Sequence, residues 1–409
     1  MENELALHKI NVLILKSLFS LWFISEFVVS HTPASQIFLL LFVGTTILMT
    51  FKMVKTSLPF WCYGLFFLFS LANIAMGYAV NNATALKMTI TLGLNVVFIY
   101  ALINYYSYCY GNNAIEFFRF YQKLVIGIAG LLLIFGFSNI MVGKRLSTFG
   151  INANAIAMIC SYALLVRINQ VVVNKKIDWK DIAVTLLLMF AVLSAGSRKG
   201  LIIPFVGTML IVMLRNPTKI VQYIVGGVIA GLIALYLIMN VDFLYSIIGY
   251  RVKPMIDLMM GKEYAESSME TRIHLIELAW KSSQDSLMMG HGLDCFRHLQ
   301  QSHGTYSHNN FVEIIYSLGV GGFIVYYFPA LLSFFTIIKE AIKARCDASF
   351  ILASSIFFAV IVCDYFAISY FERTPLVLVI ITTHCILEKK DEHKEIYQKP
   401  IQDFQRISH

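Results

Sequence analysis

The sequence predicts an all-α, polytopic membrane protein of about twelve transmembrane helices, with one large outer-face loop that carries an amphipathic helix. Composition supports this. Hydrophobic residues make up 58% of the 409 and charged residues 14%, where a soluble domain carries about 25% charged. The 32 Phe and 21 Tyr suit lipid-facing surfaces and interfacial belts. The apolar residues fall in runs of bilayer-spanning length, and the cations between runs alternate in density from one loop to the next.

In chain order the runs are 10–29, 35–51, 59–80, 86–106, 120–141, 151–168, 182–196, 200–214, 219–240, 310–337, 349–370 and 374–387. A span needs roughly 20 apolar residues, so 182–196 and 200–214 are short. They read as one hairpin, broken at the Gly-containing turn from Ala195 to Gly200. The first run is followed by Ser30, His31 and Thr32 and then by another apolar run. No cleavable signal stands out, and the first helix is expected to be retained. Residues 1–409 read as a single integral membrane domain, without internal repeat or low-complexity tract.

Loop charge sets the expected orientation. With the N-terminus inside, the even-numbered helices lead into cytoplasmic loops. These hold Lys52 and Lys55; Arg119; Arg167, Lys175, Lys176 and Lys180; Arg215 and Lys219; and Lys339, Lys343 and Arg345. The C-terminal tail adds Lys389, Lys390, Lys394, Lys399 and Arg406, whereas 30–34 and 81–85 have no Lys or Arg. This is a positive-inside pattern with both termini cytoplasmic. It also accounts for the net charge of +8 without a nucleic-acid partner. The seven Cys, at 62, 109, 160, 295, 346, 363 and 385, are odd in number, mostly within apolar runs, and form no CxxC. They read as small buried hydrophobes.

Residues 241–307 form a long mixed-charge outer loop between the ninth and tenth spans. With His308 just past its end, it carries five of the ten His: 274, 291, 298, 303 and 308. Within it, Met269 to Ser286 alternates apolar and polar residues at helical spacing, through Ile273, Ile276, Leu278, Ala279 and Trp280. This is the expected amphipathic helix.

Three outer segments break the charge rule: Lys144-Arg145, Arg198-Lys199, and Arg373 beside Glu372. Cations there can snorkel to lipid headgroups, or they can meet an anionic ligand. Arg198 lies at a helix break among Ser194, Ala195, Gly196, Ser197 and Gly200, where small residues admit a ligand to the backbone. The next helix begins just after it, so amides, dipole and guanidinium converge. That combination suits phosphate oxygens, with pyrophosphate as the natural ligand. Where the loop meets the tenth span stands Ser307-His308-Asn309-Asn310. A boundary His can act as a general base; alternatively, this is a helix N-terminus capped by Asn or Ser. Gly319 and Gly322 read as a small-residue helix contact. His291, His298, His303 and His308 are spaced by seven, five and five. No metal-ligand pattern has that spacing, and no metal or cofactor is expected. Glu26 and Asp364 are acids within spans, read as polar helix contacts or as functional groups.

Four pieces in order resemble the O-antigen polymerase/ligase superfamily of bacterial envelope glycan enzymes. They are Arg145, Phe149, Asn152, Asn154 and Ala155; Ser194 to Arg198; Glu270-Thr271-Arg272 with Trp280 and Gly290-His291-Gly292; and His308-Asn309 with Gly319 and Gly322. They span roughly residues 140–330, and the first third of the chain offers only spans. Phe323 after the GxxG and Ala153 before Asn154 depart from the family pattern without touching a proposed catalytic group.

The resemblance implies a GT-C-like membrane glycosyltransferase at the outer face of the bacterial inner membrane. Its donor would be an undecaprenyl-pyrophosphate-linked oligosaccharide. Arg198 and Arg272 would bind the pyrophosphate, and His308 would act on the acceptor hydroxyl or help orient it. Arg145, Asn154, Lys199, Asn309 and Arg373 are further candidate substrate contacts. Membrane lipids, and a polysaccharide chain-length regulator, are the implied partners. The SHNN run and short N-terminus favour a repeat-unit polymerase for O-antigen or capsule. A ligase passing finished glycan to a lipid or protein acceptor is the alternative. A twelve-span transporter or flippase is disfavoured, because the largest loop follows the ninth span and no repeat relates the halves.

Overall fold

A computed structural model describes residues 2–28, 32–141, 145–146, 152–174, 178–260, 267–343 and 345–388. The expectations placed on Lys144, Phe149, Lys175, Lys176 and the cations of the C-terminal tail lie outside the described residues.

Among the described residues the chain is helical, with no strand. The helices are α1 (Glu2–Val28), α2 (Pro33–Met49), α3 (Leu58–Ala75), α4 (Asn82–Tyr110), α5 (Ala114–Met141), α6 (Ala153–Asn174), α7 (Trp179–Ser194), α8 (Arg198–Arg215) and α9 (Ile220–Asn240). A single turn, α10 (Asp242–Leu244), leads into α11 (Tyr250–Met259) and α12 (Ser267–Ser283). The 33-residue α13 (Asn310–Ile342) and the 17-residue α14 (Ala348–Asp364) follow, and residues 373–388 form a last helix, α15.

Each of the twelve apolar runs is helical over most of its described residues. Among the described residues, seven helices are long and apolar enough to cross a bilayer: α1, α3, α4, α5, α6, α9 and α13. α2 and α14 are apolar and shorter. The chain is thus a polytopic α-helical membrane protein with seven candidate spans by length and composition, not a demonstrated twelve. In lipid only closed backbone hydrogen bonding survives, which is why the apolar runs fold as helices.

α1, α2, α4 and α5 share an aromatic core of Phe19, Trp22, Phe42, Phe98, Tyr105 and Phe117, all buried. Ring centroids there lie 5.0–6.4 Å apart, as in Trp22–Phe98 at 5.0 Å and Phe42–Phe98 at 6.4 Å, the range that stacked and edge-on pairs favour.

α8 packs against α6 and α14, and α13 against α3 and α12. Small residues permit the α6–α8 approach. A Cβ on Gly200 would stand 2.6 Å from Ala157 Cβ, and one on Gly207 would stand 2.4 Å from Leu165 Cδ1. Pro204 lies inside α8 and has no N–H for the carbonyl four residues earlier, that of Gly200. The Ser161 hydroxyl of α6 donates to that carbonyl at 2.6 Å, so the group is satisfied across the helix contact.

The amphipathic segment is α12, extended by a 3-10 turn at Gln284–Ser286. Leu275 and Ala279 are buried with Ala85, Phe296 and Tyr316, while Ile273 and Trp280 are exposed. Gly319 departs from its expected role. Its φ is +65 and Leu318 is also non-helical, so α13 is kinked there. A Cβ on Gly319 would stand 2.3 Å from Met288 O. The glycine serves a backbone crossing with the 287–292 turn, not a helix–helix face, because only glycine admits both the φ and the approach. That turn is bonded to the kink: His291 and Gly292 N–H donate to Tyr316 O and Ser317 O, each at 2.8 Å.

Candidate active site

The turn between α7 and α8 is built by its small residues. Gly196 holds φ +56, a conformation that a side chain would strain, and its N–H donates to Leu193 O at 2.8 Å. Arg145 lies on this turn. Its Nε donates to Ala195 O at 2.8 Å and its Nη2 to Asn154 Oδ1 at 3.0 Å. Leu146 N–H adds a bond to Ser194 O at 2.8 Å. A guanidinium at the last carbonyls of α7 answers their partial negative charge. Arg145 and Asn154 therefore tie the start of α6 to the end of α7 at Ala195, three residues before Arg198. Ser194 and Ser197 keep buried hydroxyls without a hydrogen-bond partner among the described residues, and Ser197 precedes α8 without capping it through its side chain.

The second corner is the start of α13. Asn309 is its N-cap, with Oδ1 accepting from Val312 N–H at 3.1 Å, so this candidate substrate contact is occupied in capping. His308 has φ +61, unusual for a residue with a side chain. Its neighbours hold it there. Ser307 N–H donates to Glu313 Oε2 at 2.9 Å, and Ser307 Oγ to Asn309 O at 3.0 Å. Asn310 ties the corner to the α14–α15 connection: its Oδ1 accepts from Ser369 N–H at 2.9 Å, and its Nδ2 donates to Tyr327 OH at 2.8 Å. Tyr327 OH in turn donates to Asp364 Oδ2 at 2.9 Å, and Ser369 Oγ to Asp364 Oδ1 at 2.5 Å. Asp364 is thus a polar contact that braces the His308 corner.

The charges of the two corners and of α12 act on one another. Burial, then Arg272 and Lys199, push the His308 imidazole down to about 4. Burial, then Arg272, opposed by Cys363 and joined by Arg198, push the Lys199 ammonium down to about 8. Arg198, Lys199, Arg272 and His308 therefore form one electrostatic group, drawn from α8, α12 and the approach to α13. The charged groups that shift His308 are both cations. Such a group gains most from an anionic ligand, and its imidazole is neutral at pH 7 and free to accept a proton.

Arg373 belongs to a different set. Its Nε donates to Asn95 Oδ1 at 3.1 Å and its Nη1 to Gln36 Oε1 at 3.5 Å. Burial lowers its pKa, and the charges of Glu26 and Glu372 raise it. Glu26, the acid of the first span, thus faces a cation. His291 and His298, considered as metal ligands, bond elsewhere: His291 Nε2 with Ser282 O at 2.8 Å and His298 Nε2 with Thr84 Oγ1 at 3.0 Å. Sequence reading missed Glu313, Tyr327 and Ser369, and gave Asn310 no bracing role. The signals available were a second Asn after His308-Asn309 and an acid in the first turn of α13.

Residues 183–327 match the family model described as O-antigen ligase. The match covers 145 of the chain's 409 residues. It begins in α7 and ends in α13, and Arg198, Lys199, Arg272 and His308 all fall inside it. It supports the O-antigen polymerase/ligase superfamily and the coarse reading of a membrane enzyme of glycan transfer. Arg145 and Asn154 lie before the matched domain, and Arg373 lies after it. No curated protein matches the chain.

Proposed function

We propose that the chain is a glycosyltransferase of the bacterial inner membrane that polymerises undecaprenyl-pyrophosphate-linked repeat units into O-antigen or capsule. The observation that carries this is the placing of Lys199 and Arg272 beside a neutral His308, with Arg198 beside Lys199. The cations hold the donor pyrophosphate, and the apolar helices accommodate its polyprenyl tail. The acceptor hydroxyl oxygen bonds to C1 of the donor sugar. The bond from C1 to the phosphate oxygen breaks, the lipid pyrophosphate leaves with the electron pair, and the hydroxyl proton passes to His308. Charge neutralisation at the leaving group is worth roughly 2–4 kcal/mol per donor removed, on the scale of lost oxyanion contacts. No divalent metal is required in this scheme, because guanidinium and ammonium groups take that role.

The loop cations support an orientation with both termini cytoplasmic and this site on the outer face of a single membrane unit. A chain-length regulator is the proposed protein partner. A second reading, ligation of finished glycan to a lipid or protein acceptor, is favoured by the description of the matched family.

The test is the surface glycan of a deletion strain complemented with Arg198→Ala, Arg272→Ala or His308→Ala. Single repeats on the acceptor are expected for a polymerase. No attached glycan, with polymer on the lipid carrier, would indicate the ligase. Full-length polymer from all three variants would remove the assignment.

A further inference from the structure

The cationic group explains how a pyrophosphate is held and leaves the acceptor sugar without a binding surface. We propose that Tyr306 is the platform on which the acceptor sugar packs, presenting its hydroxyl to His308. This rests on the glycosyl-transfer reading. Tyr306 is 42% exposed, and its ring centroid lies 4.8 Å from that of His308, edge-on at 64°. Other tyrosines of this corner are packed away, with Tyr316 at 1% and Tyr327 at 9% exposure.

The exposed ring sits on a backbone fixed from both sides. Before it, His303 and Gly304 take φ +51 and +75, and Thr305 donates to Ser302 O through N–H at 3.0 Å and Oγ1 at 2.8 Å. After it, Ser307 N–H is held by Glu313 Oε2 at 2.9 Å. The chain thus orders a loop and leaves a large aromatic at its surface beside the proposed base.

Chemistry separates the two halves of the site. A pyrophosphate needs cations. A pyranose carries no charge at its ring; it offers a rim of hydroxyls and a face of polarised C–H bonds, which the electron-rich face of an aromatic ring attracts. Tyr306 supplies such a face, and its contact with His308 brings the ligand's hydroxyl rim to the imidazole. The assigned ligand is therefore the acceptor glycan, not the lipid pyrophosphate.

The probe is the repeat-unit oligosaccharide released by mild acid from the host's own lipid-linked pool, free of lipid and pyrophosphate. Its affinity for the purified full-length chain in detergent is measured by saturation-transfer NMR titration. The parent and Tyr306→Phe are expected to bind alike, and Tyr306→Ala to lose roughly tenfold. In turnover, Tyr306→Ala raises the KM for acceptor while kcat stays near the parent value. Unchanged binding by Tyr306→Ala overturns the proposal, as does an equal loss in Tyr306→Phe, which would assign the effect to the hydroxyl. Failure of the transferase reading looks different: the parent transfers no glycan, yet binds the oligosaccharide in a Tyr306-dependent way.

Discussion

α8 and α9 follow one another in the chain and are packed in opposite ways. α8 begins with two cations and contains Gly200, Pro204 and Gly207, yet it buries Gly200, Ile203, Gly207, Ile211 and Leu214 in one stripe against α6 and α14. α9 is apolar between Gln222 and Asn240 near its ends and has no buried residue. In a bilayer, lipid tails are as apolar as leucine, so hydropathy alone does not draw helices together. Small residues and polar groups that need partners do. The helix that looks less like a span is therefore the one that carries the cationic turn.

Glycine substitutions break this comparison most sharply. Gly207→Leu would drive a side chain into Leu165 and is expected to destabilise the protein by about 3 kcal/mol, read as a lowered thermal midpoint in detergent. Arg145→Ala is next. It removes the guanidinium from Ala195 O and Asn154 Oδ1 and should cost about 2 kcal/mol. Donor KM should rise, because the turn bearing Arg198 loses its brace.

The pH profile sharpens the same contrast, since α8 contributes a titrating group to the site. His308 is held down to about 4, so its neutral form is present above that pH. kcat/KM should stay flat on the acid side until about pH 4 and then fall tenfold per unit. Lys199 loses its proton through about 8, so donor affinity should weaken as pH rises past that value. Bound pyrophosphate favours both charged forms, so the acid limb of kcat should lie above that of kcat/KM.

Ser161→Ala leaves the Gly200 carbonyl without its donor and should cost about 1 kcal/mol, visible as a small midpoint shift. Gly226→Leu on α9 is the smallest effect. A Cβ there meets nothing within 4 Å, so stability should match the parent. A large loss would mean that α9 packs against a partner.

Apolar runs made the helices legible, because each run must close its own backbone hydrogen bonds. The cations that oppose the loop-charge pattern pointed to Arg198 and Lys199, and the family resemblance pointed to Arg272 and His308. What the sequence hid depends on contacts between distant residues. Arg145 looked like a ligand contact and is spent on Ala195, fifty residues away. Pro204 gave no sign that Ser161 would serve the carbonyl it leaves open. Gly319 and Gly322 have the spacing of a helix contact, and only the positive φ at Gly319 marks the crossing with Met288. Arg373 breaks the charge rule as Arg198 does, but its partners are Asn95, Gln36 and Glu26.

The central claim is that Arg198, Arg272 and His308 act together on a lipid-pyrophosphate donor. The most direct measurement is single-turnover transfer by the purified full-length chain, with the native lipid-linked oligosaccharide as substrate. Arg198→Ala and Arg272→Ala should each slow it by roughly 10²–10³-fold, and His308→Ala should slow transfer while leaving donor binding intact. Transfer at the parent rate by Arg198→Ala and Arg272→Ala would contradict the account.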